Sequence, residues 1–293
     1  MASLTSVVSI DDFMSWRNID NAQPIKTLKV LYTSMGEGPA VLPDIVKKHP
    51  NTYIPNSIGF DFQDQFADSS SELSNTMVSS AEFAKQASLL GLNCSDTLVI
   101  YDDFGNFCAS RVWFMFKTMG HEKVYVLEGG LPLYLKRNLP ISTELLTQYN
   151  EGDKSEYECK LDPSFTFVDQ QYILDNLQTA EATLVDARSN PRFLGNIPES
   201  KVHLRAGHIP QSVNIHYASL QDDNACFLPT SKLVAAFSPY MNKPLVFSCG
   251  SGVTACILAQ AAILAGIPEV KVYDGSWSQW GANANLPIEI GKV

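Results

Sequence analysis

The sequence predicts an α/β fold with two tandem domains, each built on a mainly parallel β-sheet flanked by helices. Short apolar runs, such as residues 98–101 and 245–248, alternate with longer stretches of helical character. This alternation favours parallel strands joined by helical crossovers. Several short segments of the first half also recur in the second half at a spacing of more than 140 residues. A spacing that long indicates two duplicated domains rather than a solenoid of short repeats.

Three pairs of segments carry the duplication. They are Ile54-Pro55-Asn56-Ser57 with Ile209-Pro210-Gln211-Ser212, Leu98-Val99-Ile100-Tyr101-Asp102 with Leu245-Val246-Phe247-Ser248-Cys249, and Val124-Tyr125-Val126-Leu127-Glu128-Gly129 with Val270-Lys271-Val272-Tyr273-Asp274-Gly275. Between the two sets, the segment 141–163 is polar and contains Gly152 and Pro163, and its residues 151–156 show no clear periodicity, which is typical of a linker. We therefore predict an N-terminal domain over residues 1–143, a linker over 144–163 and a C-terminal domain over 164–293.

Composition excludes several classes of protein. The net charge of −10 argues against nonspecific binding to nucleic acid or anionic membranes. No apolar run approaches the roughly 20 residues of a membrane span. The first 16 residues contain no Lys or Arg and carry Asp11 and Asp12, which fits neither a secretory signal nor an Arg-rich transit peptide. Six irregularly spaced cysteines predict neither a disulfide scaffold nor a metal site, so we expect a reducing, cytoplasmic environment.

The strongest chemical signal is a cysteine at the end of an apolar run. Cys249 follows residues 245–248 and is succeeded by the small residues of 250–254 and then by an apolar, helical stretch. This pattern predicts a buried strand, a tight loop and the start of a helix. Backbone N–H groups and the helix N-terminus converge at such a junction, and both favour the nucleophilic thiolate. The alternative is a buried cysteine that packs as a small hydrophobic residue.

Two other cysteine chemistries fit this pattern poorly. Cysteine-dependent phosphatases carry an arginine six residues after the nucleophile to clamp phosphate oxygens, whereas this sequence has Ala255 there. A papain-like hydrolase requires a histidine base oriented by Asn or Asp. The best-placed histidine is His208, in the segment Gly207-His208-Ile209-Pro210.

Residues 249–254, Cys-Gly-Ser-Gly-Val-Thr, resemble the active-site loop of the 3-mercaptopyruvate sulfurtransferases, a group within the tandem rhodanese family. Further resemblance is found in Asp186-Ala187-Arg188, Arg192-Phe193, Gly207-His208-Ile209-Pro210, Tyr273-Asp274-Gly275-Ser276-Trp277, Arg111-Val112-Trp113 and Glu128-Gly129-Gly130. These motifs occur in order along nearly the whole chain. The resemblance implies a doubly wound fold in each domain and an enzyme that moves sulfane sulfur through a persulfide on Cys249.

The resemblance also assigns roles to individual residues. Arg192 matches the substrate-binding arginine of the family, and Lys201 falls where a second arginine usually lies. Arg188 and Arg205 are expected to be structural. The loop residues expected to contact the substrate are Gly250, Ser251, Gly252, Val253 and Thr254, with the Ser251 hydroxyl near the departing carbon.

Donor preference follows from the loop. Thiosulfate-selective rhodaneses resemble Cys-Arg-Lys-Gly-Val-Thr, so Gly250 and Ser251 stand where those enzymes carry two cations. Each missing charge removes an attraction of about 1–4 kcal/mol for a dianion. We therefore expect 3-mercaptopyruvate as donor, and a thiol such as thioredoxin, or cyanide, as acceptor, with no cofactor or metal. The alternatives are a thiosulfate:cyanide sulfurtransferase and a non-enzymatic tandem module that carries sulfur or binds a partner.

Two departures affect the predicted mechanism. Asp102 aligns with Cys249, and because a carboxylate cannot carry sulfane sulfur we expect the first domain to be catalytically inactive. In the mercaptopyruvate enzymes that this sequence resembles, a Ser-His-Asp relay is proposed. Here Asn75 stands at the histidine position and Gln63 at the acidic position. Since neither side chain titrates near neutrality, a proton relay through them is not expected.

Overall fold

The computed structural model describes residues 6–17, 27–36, 42–147 and 155–291. The chain divides into two compact units. The first unit comprises Met1–Asp68, Val78–Asp162 and Asp223–Cys226, and the second comprises Ser69–Met77, Pro163–Asp222 and Phe227–Val293. Each unit therefore includes a short segment from the other half of the sequence, which the repeat pattern did not predict.

The first unit is a five-stranded sheet with the strand order β1-β5-β4-β2-β3, in which every paired strand is parallel. Its elements are β1 (Val7–Val8), α1 (Ile10–Arg17), β2 (Leu28–Tyr32), α2 (Asp44–Lys47), β3 (Ser57–Gly59), α3 (Ser80–Leu89), β4 (Thr97–Tyr101), α4 (Ala109–Thr118), β5 (Val124–Leu127) and α5 (Gly130–Lys136). The Ser79 hydroxyl accepts the Glu82 N–H at 3.3 Å and so caps α3.

The second unit repeats this architecture with the order β6-β10-β9-β7-β8, again parallel throughout. Its elements are β6 (Phe165–Val168), α6 (Gln170–Thr179), β7 (Thr183–Asp186), α7 (Asn190–Phe193), β8 (Val213–Asn214), α8 (Thr230–Phe237), β9 (Leu245–Ser248), α9 (Ala255–Leu264), β10 (Val270–Tyr273) and α10 (Ser276–Trp280). The predicted α/β fold with two duplicated domains is confirmed.

The duplication extends to individual hydrogen bonds. Asn56 and Gln211 both adopt a left-handed conformation, with φ of +63° and +62°. The hydroxyl groups of the following Ser57 and Ser212 each donate to the carbonyl three residues earlier at 2.6 Å. These matching turns lead into β3 and β8, so the two halves share their loop geometry as well as their strand order.

The central strand of each sheet carries the loop of interest. β4 and β9 each lie third in their sheet, and every residue of both strands is buried. Helices on a parallel sheet bury its faces, which explains why these strands read as continuous apolar runs rather than as alternating patterns. The loops that follow β4 and β9 thus begin from fixed positions at the carboxyl edge of the sheet.

The described parts of the predicted linker are hydrogen-bonded within the first unit. The Leu146 N–H donates to the Ser57 carbonyl at 2.9 Å, and the Lys160 N–H donates to the Met119 carbonyl at 3.1 Å. Residues 148–154, which include Gly152, lie outside the described residues. Within the described part of the chain, no helix is long and apolar enough to cross a membrane.

Candidate active site

Cys249 directly follows β9 and is 1% exposed. Its N–H donates to the Ser276 hydroxyl oxygen at 3.1 Å, and its carbonyl accepts the Trp277 N–H at 3.0 Å. The cysteine backbone is therefore held on both sides by the start of α10. The predicted sequence of strand, tight loop and helix is confirmed, since α9 begins at Ala255.

The loop after Cys249 is fixed mainly through its carbonyl groups. Gly250 accepts both the N–H and the hydroxyl of Ser278, each at 2.8 Å. The Ser251 carbonyl accepts the Asn75 side-chain amide at 3.4 Å. Gly252 has a φ of +75°, which an L side chain would make costly. The loop ends at the buried Val253 and at Thr254, which precedes α9 and makes no side-chain capping bond.

The equivalent loop of the first unit holds a carboxylate with its backbone N–H groups. Asp102 follows β4 and is fully buried. One oxygen of its carboxylate accepts the N–H groups of Phe107, Cys108 and Ala109 at 2.7–2.8 Å, and the other accepts the Phe104 N–H at 2.9 Å. Four backbone donors thus converge on one anion, as expected for a loop that opens a helix.

The alignment of Asp102 with Cys249 is confirmed by hydrogen bonding. The Asp102 carbonyl accepts the Leu131 N–H at 3.0 Å, as the Cys249 carbonyl accepts the Trp277 N–H. Both donors lie four residues after the last residue of the strand, β5 in the first unit and β10 in the second. Asp102 thus accepts its own loop donors, and this position of the first unit holds a carboxylate where the second unit holds a thiol.

The Arg192 guanidinium lies against the loop. A Cβ atom placed on Gly250 would be 3.4 Å from Arg192 Nη2, so the absence of a side chain at Gly250 leaves the guanidinium next to the backbone. The Arg192 side chain is 31% exposed. Burial raises the pKa of the nearby Tyr217 phenol, and the Arg192 charge opposes that rise. Arg192 is therefore placed where an anion bound at the loop could be contacted.

A buried network of charges holds Arg192. Its Nε and Nη2 atoms donate to the two carboxylate oxygens of Glu199, at 3.3 and 2.5 Å. Glu199 in turn accepts Arg188 Nη1 at 2.9 Å. Arg188 also binds the Asp186 carboxylate, with an N–O distance of 2.6 Å, and lies 4.3 Å from the centre of the Trp277 ring. Arg188 is thus fully engaged within the protein, in agreement with its expected structural role.

The remaining residues predicted near the site fall into two groups. Arg205 donates to the backbone carbonyls of Gly281, Leu286, Trp280 and Asn283, so it is structural, as expected. His208 is buried, its Nδ1 atom lies 2.8 Å from the Phe193 carbonyl, and its ring stacks on Phe193, so it too is structural. Lys201 lies on an exposed turn, and its substrate-binding role stays a prediction.

Asn75 and Gln63, the positions predicted to replace a relay, lie in different units. Gln63 lies in a turn of the first unit, where its N–H donates to the Asp61 carboxylate at 3.0 Å. Asn75 belongs to the second unit and is 3% exposed. Two residues later, the Met77 N–H donates to the Asp274 carboxylate at 2.8 Å. The segment Ser69–Met77 is therefore hydrogen-bonded within the second unit at two places, the Cys249 loop and the residue Asp274 just before α10.

Three of the other cysteines are poor candidates for a nucleophile. No disulfide links the six cysteines, all of which lie within the described residues. Burial, reinforced by the Asp102 carboxylate, raises the pKa of the Cys108 thiol. Burial and the neighbouring Cys94 raise the pKa of Cys159 to about 11. Cys256 is fully buried in α9, as expected.

Sequence reasoning missed three residues that position the site. Ser276 and Ser278 hold the backbone of Cys249 and Gly250, and Glu199 holds Arg192. Ser276 lay within a recognised motif, although the motif gave no indication of its bonding. Glu199 carried no motif of its own. In residues 6–17, 27–36, 42–147 and 155–291, no group of three His, Cys, Asp or Glu side chains could hold a metal ion.

Comparison with known proteins identifies the family. The rhodanese-like domain family matches residues 27–137 and 169–283. The 3-mercaptopyruvate sulfurtransferase of Rattus norvegicus is 36% identical over 264 residues, which cover 88% of this chain and 86% of the relative. The thiosulfate/3-mercaptopyruvate sulfurtransferase 1, mitochondrial, of Arabidopsis thaliana is 32% identical over 307 residues, which cover 97% of this chain and 78% of the relative.

A solved structure agrees with these relatives. The crystal structure of SseA from Escherichia coli, described as a 3-mercaptopyruvate sulfotransferase with a rhodanese fold, superposes with a TM-score of 0.76 at 29% identity. The match covers 93% of this chain and 99% of that chain. Two matched domains, a cysteine loop in the second and relatives similar over most of their length lead to one assignment: the chain belongs to the rhodanese family, as a tandem-domain sulfurtransferase.

Proposed function

We propose that this sulfurtransferase moves sulfane sulfur from 3-mercaptopyruvate, through a persulfide on Cys249, to a thiol or to cyanide. The observation that carries the proposal is the bonding of Asp102. Its loop directs four backbone N–H groups onto one anionic side chain. The duplicated loop of the second unit carries a thiol at the same position and also opens a helix, α9. Backbone N–H groups at such a helix start would stabilise a thiolate there and then the persulfide.

The reaction needs no external redox partner. The Cys249 thiolate attacks the sulfur of 3-mercaptopyruvate, so that a bond forms between the two sulfur atoms while the bond from sulfur to the methylene carbon breaks. The electron pair of the broken bond stays on that carbon as the enolate of pyruvate, which takes up a proton. An acceptor thiol or cyanide then attacks the outer sulfur and regenerates the Cys249 thiolate. No cofactor or metal takes part in these steps.

Arg192 is proposed to hold the donor carboxylate. Its guanidinium lies beside Gly250, and Glu199 fixes its orientation through two contacts. In the described residues, Arg192 Nη1 makes no hydrogen bond and so has donors to offer a carboxylate. Lys201 has a weaker supporting role, because an ammonium group on an exposed turn lacks the planar two-bond geometry of arginine. Gly250, Gly252, Val253 and Thr254 line the bound donor.

Ser251 is proposed to assist the departing carbon without a relay. Asn75 contacts the Ser251 carbonyl rather than serving as a base, and its amide does not titrate. Gln63 lies in a turn of the first unit and is likewise not ionisable. Solvent therefore supplies the proton to the pyruvate enolate, with the Ser251 hydroxyl donating a hydrogen bond that orients the departing group.

The same proposal assigns roles to the two domains, the acceptor and the cellular compartment. We infer that residues 1–143 form a catalytically inactive domain, that 144–163 connect it, and that 164–293 carry the chemistry. A reducing thiol protein such as thioredoxin fits the acceptor role, and the unlinked cysteines fit a reducing compartment such as the cytoplasm. The two competing functions are a thiosulfate:cyanide sulfurtransferase and a non-enzymatic sulfur carrier.

One experiment separates these possibilities. The kcat/KM values for 3-mercaptopyruvate and for thiosulfate should be measured with the same acceptor, and Cys249→Ser should serve as the control. We expect a higher value for 3-mercaptopyruvate, no turnover by Cys249→Ser, and a mass increase of one sulfur atom on Cys249 after donor treatment. A higher value for thiosulfate would support the first competitor, and sulfur on another cysteine would refute the assignment of Cys249.

A further inference from the structure

Glu199 occupies an unusual position for a carboxylate in a site that binds anions. Its side chain is 1% exposed, and it lies between Arg188 and Arg192. It contacts two nitrogens of Arg192, including the one nearest to Gly250. A buried carboxylate placed there lowers the positive potential that Arg192 presents to any bound donor.

The four charges of this network cancel. Asp186 pairs with Arg188, and Glu199 pairs with both Arg188 and Arg192, giving two carboxylates for two guanidinium groups. Arg192 therefore offers hydrogen-bond donors with little net charge behind them. The loop adds no charged side chain at these positions, because Gly250 and Ser251 are neutral. Lys201 is exposed, where water and salt screen its charge.

We propose that Glu199 is a specificity-determining residue, which selects a monoanionic carboxylate donor over a dianionic one by neutralising Arg192. This inference rests on the proposed function, since it takes Arg192 as the group that binds the donor. A monoanion such as 3-mercaptopyruvate needs mainly hydrogen bonds, which Arg192 and the loop N–H groups supply. A dianion such as thiosulfate needs a net positive site to offset the cost of its desolvation, and Glu199 removes that net positive charge.

The test is the ratio of kcat/KM for thiosulfate to kcat/KM for 3-mercaptopyruvate in Glu199→Gln. This change removes one negative charge and keeps the shape of the side chain. The gain in Coulomb attraction is twice as large for a dianion as for a monoanion. For charges within about 10 Å, the ratio of the two kcat/KM values should therefore rise about tenfold. Any loss of Arg192 orientation lowers kcat/KM for both donors, so its effect cancels in the ratio of the two values.

Two variants separate charge from position. Glu199→Asp keeps the charge while shortening the side chain, so activity should fall for both donors and the ratio should stay within about threefold of the unmodified protein. Glu181→Gln makes the same change in net charge at an exposed position before β7, at the opposite end of that strand from Asp186. It should leave the ratio unchanged, because an exposed charge at that distance is screened.

A measurement on the unmodified enzyme covers the case in which Glu199→Gln does not fold. Sulfate, an unreactive dianion, should inhibit more weakly than pyruvate. Tighter inhibition by sulfate would overturn the inference, as would an unchanged ratio in folded Glu199→Gln or an equal shift in Glu181→Gln. If the unmodified enzyme prefers thiosulfate, the proposed function fails. If it prefers 3-mercaptopyruvate but Glu199→Gln does not shift the ratio, only the role of Glu199 fails.

Discussion

Replacing Ser276 with glycine should separate the reactivity of Cys249 from the stability of the fold. Ser276 is fully buried and has a φ of +46°, a conformation that L residues rarely adopt. Its hydroxyl accepts the Cys249 N–H at 3.1 Å and donates to the Tyr273 carbonyl at 2.8 Å. In the first unit, the equivalent residue is Gly130, with a φ of +49°. The second unit therefore has a strained serine where its duplicate has glycine.

The balance of energies at Ser276 predicts the order of two variants. Placing an L residue in the left-handed region costs roughly 1–2 kcal/mol, whereas glycine avoids most of that cost and loses about 0.5–1 kcal/mol in backbone entropy. Each of the two lost hydrogen bonds is worth about 0.5–1.5 kcal/mol. Ser276→Ala loses the bonds and keeps the strain. Ser276→Gly loses the same bonds but relieves the strain. The glycine variant should therefore be more stable than the alanine variant by roughly 1 kcal/mol.

The assay combines denaturant unfolding with the rate at which iodoacetamide alkylates Cys249. Both variants should alkylate and transfer sulfur about tenfold more slowly, or about 1.4 kcal/mol in the barrier, because the Cys249 backbone loses its anchor. Ser278→Ala is the matched control, since the Gly250 carbonyl that it contacts keeps the Ser278 N–H. A Ser276→Ala protein as stable as Ser276→Gly would refute the strain argument, and unchanged alkylation would refute the anchoring role.

Three further outcomes follow from the described contacts. Arg192→Ala should lower kcat/KM for 3-mercaptopyruvate by one to two decades, because a charge-assisted contact is worth about 1.5–3 kcal/mol, while Lys201→Ala should cost less; equal losses would contradict the assigned ranking. Ser251→Ala should lower turnover only about tenfold, or about 1.4 kcal/mol, and a loss as large as that of Cys249→Ser would reveal a relay. Burial lowers the pKa of His121 to about 4, below its unfolded value of about 6.5. The unfolded chain therefore binds the proton first, so stability should fall by up to about 3 kcal/mol as the pH drops from about 6.5 to 4. His121→Gln should remove that part of the pH dependence, measured by unfolding at each pH, and an unchanged profile would assign it elsewhere.

The sequence predicted those features of the fold that are local and repeated. The strand before Cys249, the helix after it and the alignment with Asp102 all follow from short patterns that occur twice in the chain. Contacts between distant positions left no such pattern. Asn75 and Ser251 are separated by 176 residues, and nothing in their local sequence indicates that the Asn75 amide contacts the Ser251 carbonyl. Glu199 reads locally as one acidic residue on a polar turn, and only the folded chain places it between two arginines.

The comparison of the two loops supports the proposal that the second unit carries the chemistry. A loop that gathers backbone N–H groups stabilises any anion placed at its centre, whether a carboxylate or a thiolate. In the first unit, the Asp102 carboxylate fills that position and accepts four of the N–H groups. In the second unit, the proposed nucleophile Cys249 stands at the same position and would form and break a bond to sulfur. Under this proposal, the exchange of a carboxylate for a thiol is one difference that separates the two loops, and Ser276 beside the thiol, where the first unit has Gly130, is another.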